Sequence, residues 1–520
     1  MIPRLGIVTV AVAAMTGAGL VAAQGLGDER VLDFHVDHRQ IAGGEIDTET
    51  LLEAGRLLFV SKFTTLDGAG RPASTGAGLP TRRDPADAFG FLRTNGPDSP
   101  SCVSCHNDPE PGGGGDFVAN VFALAQERGE HMMSINADSI NERGTTEMHG
   151  GGLIELLARE MTAELLELRA AAIASAARTR APVRAALVTK GVSFGALTAQ
   201  PDGQVDTTEV KGVAADLVIR PWSQKGTTIS LREFTIGAMN HHHGMQAEER
   251  YGISQTGTRD FDQDSIRDEL TTGDITAIVA FQAVLPPPRQ VMPRDPDVAA
   301  AVVRGEAVFN QIGCTSCHVS EMVLNNVVFS EPGPINGGGT LTADAVPGPA
   351  RIDLATMPWF AEMDRTPEGG VIVRAFTDLK LHRIADEETP HFGNEQLRQS
   401  FRLQPLPGPE LALARQRLRG AFSQDFVPTD VFLTRRLWAA GNTGPYGHRA
   451  DLTTLNEAIL AHGGEGRAAR LGYESLGQYD RAAVIEFLRS WQIVPTPPAA
   501  ADPEVRRRLV ELWRLATVTQ

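Results

Sequence analysis

The clearest periodic pattern in the chain lies in its first half. Leu153, Leu157, Met161, Leu165 and Leu168 recur at helical spacing, with Glu155, Arg159, Glu160, Glu164 and Glu167 between them. Apolar residues at this spacing make one face of an amphipathic helix, which should end near Pro182. Between Val188 and Ile219, residues of the Val, Thr and Phe type flank a Pro201-Asp202-Gly203 turn, which predicts a β-hairpin. Ser230 with Glu233 forms a capping box, so a helix should begin there and run to about Met239. A last amphipathic helix carries Val505, Leu509, Leu512 and Trp513, and is expected to pack back on the body or to serve a partner. Together these elements predict a mainly α fold with little sheet.

One apolar pattern occurs twice. Gly55-Arg56-Leu57-Leu58-Phe59 has a counterpart in Gly305-Glu306-Ala307-Val308-Phe309. A loop rich in Gly, Pro and Asp, from Asp67 to Pro100, follows the first copy. Prolines from Leu285-Pro286-Pro287-Pro288 through Pro296 forbid helix and read as an extended linker. A second break runs from Pro495 to Pro503. The boundaries that follow are an N-terminal unit over 24–290 holding the helical and hairpin insertion, a C-terminal unit over 291–494, and a Pro-rich link with a final helix over 495–520. Residues 1–23 read as a secretory signal: Arg4, an apolar run from Leu5 to Leu20, and Val21-Ala22-Ala23 before Gln24. An uncleaved anchor is the alternative reading. Both export the bulk of the chain.

Composition narrows the partners. The 520 residues are 42% hydrophobic, ample for two or three domains with a sizeable core. A formal net charge of -16 argues against nucleic acid and against an anionic membrane surface, and suits a basic partner. All four cysteines fall in two short motifs, so none is left for a structural disulfide.

Those motifs are Cys102-Val103-Ser104-Cys105-His106 and Cys314-Thr315-Ser316-Cys317-His318. Cys-x-x-Cys-His is the attachment signature of c-type haem. Two thiols one turn apart reach the two vinyl groups of a porphyrin, and the adjacent histidine donates a ring nitrogen to the iron. A redox dithiol does not need the histidine. A four-cysteine zinc site would have to unite pairs far outside the usual spacing. The expectation is two covalent haem c groups, with His106 and His318 as iron ligands.

Tandem units each carrying this motif resemble the bacterial di-haem cytochrome c peroxidase superfamily, and most closely its di-haem oxidoreductases sometimes labelled thiol oxidoreductases. The resemblance runs from about Leu51 to Trp491 and implies two cytochrome c-like modules. Gly444-Pro445-Tyr446-Gly447-His448, with the helix after it, resembles the segment that leads to the second haem's distal ligand. That ligand position falls on His462 of His462-Gly463-Gly464-Glu465. His448 would then contact the haem surroundings, and His382 and His391 are the alternatives to His462. Trp222, followed by Leu231-Arg232-Glu233-Phe234, resembles the family's inter-haem tryptophan and the helix beyond it. Trp222 would help electrons cross; a core tryptophan is the plainer reading. The peroxidase Gln position holds Phe234, and the Glu position falls at or beside His243. The chain departs from the peroxidases there, so the resemblance implies an aromatic distal wall with His243 as a proton-moving group.

Other clusters are less committed. His241-His242-His243 cannot all face one point on a helix. One of them, or His149, would face the first haem. Asp260, Asp262, Asp264 and Asp268, with Glu269, resemble the start of a calcium loop but lack its glycine. A solvated acidic loop is the alternative. The functional expectation is an exported, periplasmic di-haem oxidoreductase of the peroxidase type. A small donor such as a cytochrome c or cupredoxin would feed the second haem, and the first would act on peroxide, dioxygen or another small molecule. A pure electron carrier with both irons six-coordinate is the rival.

Overall fold

The computed structural model describes residues 29–70, 99–122, 140–261, 264–393, 427–428, 430–496 and 503–518. The signal segment 1–23, most of the 67–100 loop and Asp262 lie outside these residues.

Two glycines bring the repeated segments into equivalent places. In helix Thr48–Val60, a Cβ added to Gly55 would stand 1.9 Å from the Ala277 carbonyl oxygen and 2.9 Å from Phe281 Cβ, both in helix Thr272–Val284. In helix Pro296–Gln311, a Cβ on Gly305 would stand 1.9 Å from the Ala483 carbonyl oxygen and 2.8 Å from Phe487 Cβ, both in helix Gln478–Ser490. Only glycine allows backbones to approach so closely. The aromatic four residues on packs alike in both copies: Phe59 on Phe281 at 5.2 Å and Phe309 on Phe487 at 5.4 Å. The repeat in sequence is thus a repeat in space, of two crossed helix pairs. Each pair packs beside a short 3-10 turn that carries a cysteine motif, Cys102–Ser104 in one and Cys314–Ser316 in the other.

The insertion follows the predicted order. The amphipathic helix spans Gly151–Thr179 and ends before Pro182. A three-stranded antiparallel sheet follows, built from Val183–Thr189, Val192–Ala199 and Val205–Asp206, so it starts earlier than Val188 and has one strand more than a hairpin. Ser230 caps helix Leu231–Ala238 by accepting from Glu233 N–H at 3.0 Å. The returning arm of the box differs: the Glu233 carboxylate accepts from Ile229 N–H at 2.8 Å. Beyond Ala238 the helix widens into a π turn over Met239–His243.

The proline linker is extended, and its Arg289–Gln290 pairs antiparallel with Trp491–Gln492. The C-terminal helix Pro503–Val518 packs on the N-terminal segment. Leu509 is buried, Trp513 meets His35 edge-on at 5.0 Å, and Arg506 pairs with Asp33 at 3.1 Å.

The expectation of a mainly α fold is overturned. The described residues are 41% helical and 14% strand, with several small sheets, so the architecture is mixed. The C-terminal half holds the strands that sequence reading missed: Met322–Leu324 with Val371–Val373, Val328–Glu331 with Ala350–Asp353, and Leu381–Arg383 with Val431–Leu433. Each has three or four residues, too few for a period of two to stand out. Each also finds its partner tens of residues away, where no turn sequence announces the pairing.

Candidate functional site

The first motif opens on a cavity of about 460 Å³. Cys102, Cys105 and His106 form one wall, and Phe234, Met239 and His242 line it from the helix and the π turn. Arg143, Arg220 and Lys225 add positive charge, and Asn336, Gly337 and Gly338 close it from the C-terminal half. Burial lowers the His106 pKa to about 4, so the ring is neutral. Its Nδ1 has no hydrogen bond of normal geometry among the described residues. The exposed part of His106 faces this cavity. A neutral imidazole on the wall of a large cavity, beside two thiols, fits what a covalently held haem needs.

Both cysteine pairs are free thiols. Burial pushes the Cys102 and Cys314 thiols up to about 12. Burial alone does not activate either thiol as a nucleophile. The donor chemistry agrees with thioether attachment.

Of the three successive histidines, His242 and His243 both share the cavity with His106, and His242 lowers the His106 pKa further. His243 is also tied to the attachment loop. Its Nδ1 lies 2.7 Å from the Ser99 carbonyl and its Nε2 3.6 Å from Cys102 Sγ, so the ring braces the attachment loop. The side chain of His241 lies outside the described residues. His149 does not line the cavity: its Nδ1 donates to the Pro286 carbonyl at 3.0 Å, and Nε2 stands 3.7 Å from Glu110. Phe234 is on the cavity wall, half-buried, as the aromatic-wall expectation requires.

The second motif is organised by hydrogen bonds. His318 Nδ1 donates to the Phe376 carbonyl at 3.0 Å, which leaves Nε2 as its free ring nitrogen. Burial lowers its pKa to about 4, and His462 lowers it further. His462 Nδ1 donates to the Ala458 carbonyl at 2.8 Å, which again directs Nε2 away from the helix end. Phe392 packs edge-on against His462 at 5.5 Å. His382 is occupied at both ring nitrogens, 2.8 Å from Asp378 and 2.8 Å from Glu465. Against burial, these carboxylates and Cys317 push its pKa up to about 11, so it is a cation and a poor ligand. His391 stands 3.4 Å from Asp451. His448 is buried and stacks on Phe432 at 4.8 Å.

Among the described residues, the one group with three donor atoms mutually within 4.8 Å is Cys317, Asp378 and His382, and it contains a motif cysteine and a cationic ring. In the acidic loop, Asp260 accepts from the Asp264 and Ser265 N–H groups at 3.1 Å each, Asp268 pairs with Arg259, and Glu269 accepts from Gln246 N–H at 2.8 Å.

Between the sites lies a buried ionic bridge that sequence reading missed. Glu147 accepts from Arg436 Nε at 3.0 Å and from Arg435, while the Glu147 carbonyl accepts from Arg436 Nη2 at 3.0 Å. Burial raises the Glu147 carboxyl, but the two guanidinium groups outweigh it and hold it below its ordinary range. The Arg436 guanidinium lies 5.3 Å over the Trp222 ring. Trp222 Nε1 in turn donates to Glu155 Oε2 at 3.2 Å. Trp222 is therefore in the wall between the two halves, not on the cavity surface. The adjacent pair Arg435-Arg436 is the only sequence signal of this bridge, and nothing near it names the partner.

No protein-family model matches this chain, and no curated protein matches it. No helix among the described residues is long and apolar enough to cross a membrane.

Proposed function

We propose that the protein is an exported, periplasmic c-type cytochrome with two covalent haems, acting as a di-haem oxidoreductase. The observation that carries this reading is the duplicated site. Two Cys-x-x-Cys-His turns sit beside equivalent glycine-crossed helix pairs, each with a half-buried neutral histidine at its end. Cys102, Cys105 and His106 would hold one haem; Cys314, Cys317, His318 and His462 would hold the other. When bound, the second haem would relay electrons and the first would activate peroxide or dioxygen, because two strong protein ligands favour electron transfer and an open position admits substrate.

The chain's own residues supply the difference between the sites. At the second, His318 and His462 each have one ring nitrogen fixed by a backbone carbonyl, so both rings are held in orientation. At the first, Phe234 offers an apolar wall, and His242 and His243 are the imidazoles on the cavity lining that would hold or pass a proton. Asn336, Gly337 and Gly338 line the cavity from the C-terminal half. A small basic donor protein suits the net charge of -16.

A second reading, the six-coordinate electron carrier, is favoured by one observation: His242 and His243 line the first cavity with His106. The purified protein distinguishes them. The oxidoreductase reading expects a high-spin ferric component and carbon monoxide binding after reduction. A wholly low-spin sample that binds neither cyanide nor carbon monoxide would establish the carrier instead.

A further inference from the structure

The two candidate haem sites are linked through the polypeptide as well as across space. On one side, Gly112 N–H donates to the His106 carbonyl at 3.0 Å, and Met148 N–H donates to the Gly112 carbonyl at 2.8 Å. The backbone of Thr146 faces the His106 ring. On the other side, Leu437 N–H donates to the Ala375 carbonyl at 3.1 Å, and Thr377 Oγ1 donates to the Thr434 carbonyl at 2.8 Å. That second strap carries Phe376, whose carbonyl holds His318, and the Arg435 backbone faces the same ring. Glu147 belongs to the first strap, and Arg435 and Arg436 belong to the second.

We infer that Glu147, clamped between Arg435 and Arg436, is a positioning residue that ties the two haem-bearing straps together and sets the reduction potentials of both sites. The inference rests on the di-haem reading above. The carboxylate is 1% exposed, so neither water nor salt screens it effectively. A charge held in such surroundings acts strongly on nearby redox centres. A buried negative charge opposes the arrival of an electron, and a buried positive charge favours it. Trp222 extends the bridge, because Arg436 lies on its face and Glu155 fixes its ring nitrogen. Residues 146–147 and 435–436 are otherwise hard to explain as packing. A buried ion pair is weak evidence for stability, since apolar side chains of similar volume serve as well or better.

The test is a spectroelectrochemical titration of the intact protein with both haems resolved. Glu147→Gln removes the negative charge and keeps the shape, so both midpoint potentials should move upward. Arg436→Gln leaves Glu147 paired with Arg435, so both should move downward. The opposed signs separate a charge effect from general loosening, which would move both variants the same way. Glu147→Gln leaves the buried Arg436 and the partly exposed Arg435 without a counter-ion, so it carries the risk of misfolding. In that event Arg436→Gln decides alone, and an unmoved potential at either haem overturns the inference. Wild-type protein without covalent haem would overturn the di-haem reading, and this inference with it. Two haems with potentials indifferent to both substitutions would overturn the inference and leave the di-haem reading standing.

Discussion

His35 Nδ1 lies 2.7 Å from Asp274 Oδ2, and this ion pair fastens the N-terminal segment to the helix that crosses at Gly55. Asp274 also accepts from Val36 N–H at 2.8 Å and from Thr271 N–H at 2.9 Å, so one carboxylate closes a helix cap and holds a strap. Burial pulls the His35 pKa down, but Asp274 outweighs it, and the net shift is upward from 6.5. A histidine whose folded pKa is raised adds stability that is complete below the unfolded pKa. That stability fades as pH rises through the folded pKa. Thermal unfolding should therefore show a loss of stability as pH climbs above 6.5 that His35→Gln abolishes. An unchanged pH dependence in the variant would show that the pair contributes nothing.

Covalent attachment is tested by replacing Cys102 and Cys105 together with Ala. One of two haems should disappear from the denatured chain, read by haemochrome spectrum and intact mass. Complete extraction of colour from the wild type into acid acetone would contradict both sites at once.

His462→Met should raise the potential of one haem and leave the other close to its starting value, because methionine ligation favours the reduced iron relative to histidine. The readout is a potentiometric titration. No change in either haem would remove His462 from the ligand set. The doubly paired state of His382 makes His391 the next residue to test.

At the first site, His242 and His243 should separate. If His242 moves protons, His242→Ala should lower peroxide-dependent turnover by about 100- to 10,000-fold with haem content intact. His243→Ala should instead reduce haem occupancy, since its ring braces Ser99 and Cys102. Conversion of a low-spin first haem to high spin by His242→Ala would favour the carrier reading. A loss of turnover with His243→Ala at full haem content would restore His243 to the proton role.

Gly305→Ala tests the repeat itself. A Cβ at that position meets the Ala483 carbonyl at 1.9 Å, so the helices must part. The cost should be about 1–3 kcal/mol, as for overpacked cores. Gly55→Ala should behave alike, and a neutral result at both would mean the crossings are looser than the geometry states. Calorimetric unfolding measures this.

The glycines also mark how far the sequence could be read. Gly55 and Gly305 stand in matched local patterns, and local pattern is what a chain displays directly. The same holds for the Cys-x-x-Cys-His turns, the helix before Pro182, the cap at Ser230 and the extended proline linker. Their physics is contained within a few residues: a period, a cap, a forbidden N–H, two thiols one turn apart. The two candidate haem sites, with His106 and His318, follow from that alone. The short strands of the C-terminal half could not be read, because three residues carry no period and their partners come from far along the chain. That His242 and His243 both reach the first cavity was also closed to sequence, since it turns on where a π turn points two adjacent rings. So was the ionic bridge: Glu147 and Arg436 are 289 residues apart, and each alone is an ordinary surface residue type. Sequence by itself determined which residues could bind a haem, because that chemistry is local. Only the tertiary structure decided that His242 and His243 share the first cavity while His149 does not, which of His382 and His462 is left uncharged, and what joins the two sites, because burial and long-range contact exist only once the chain has folded.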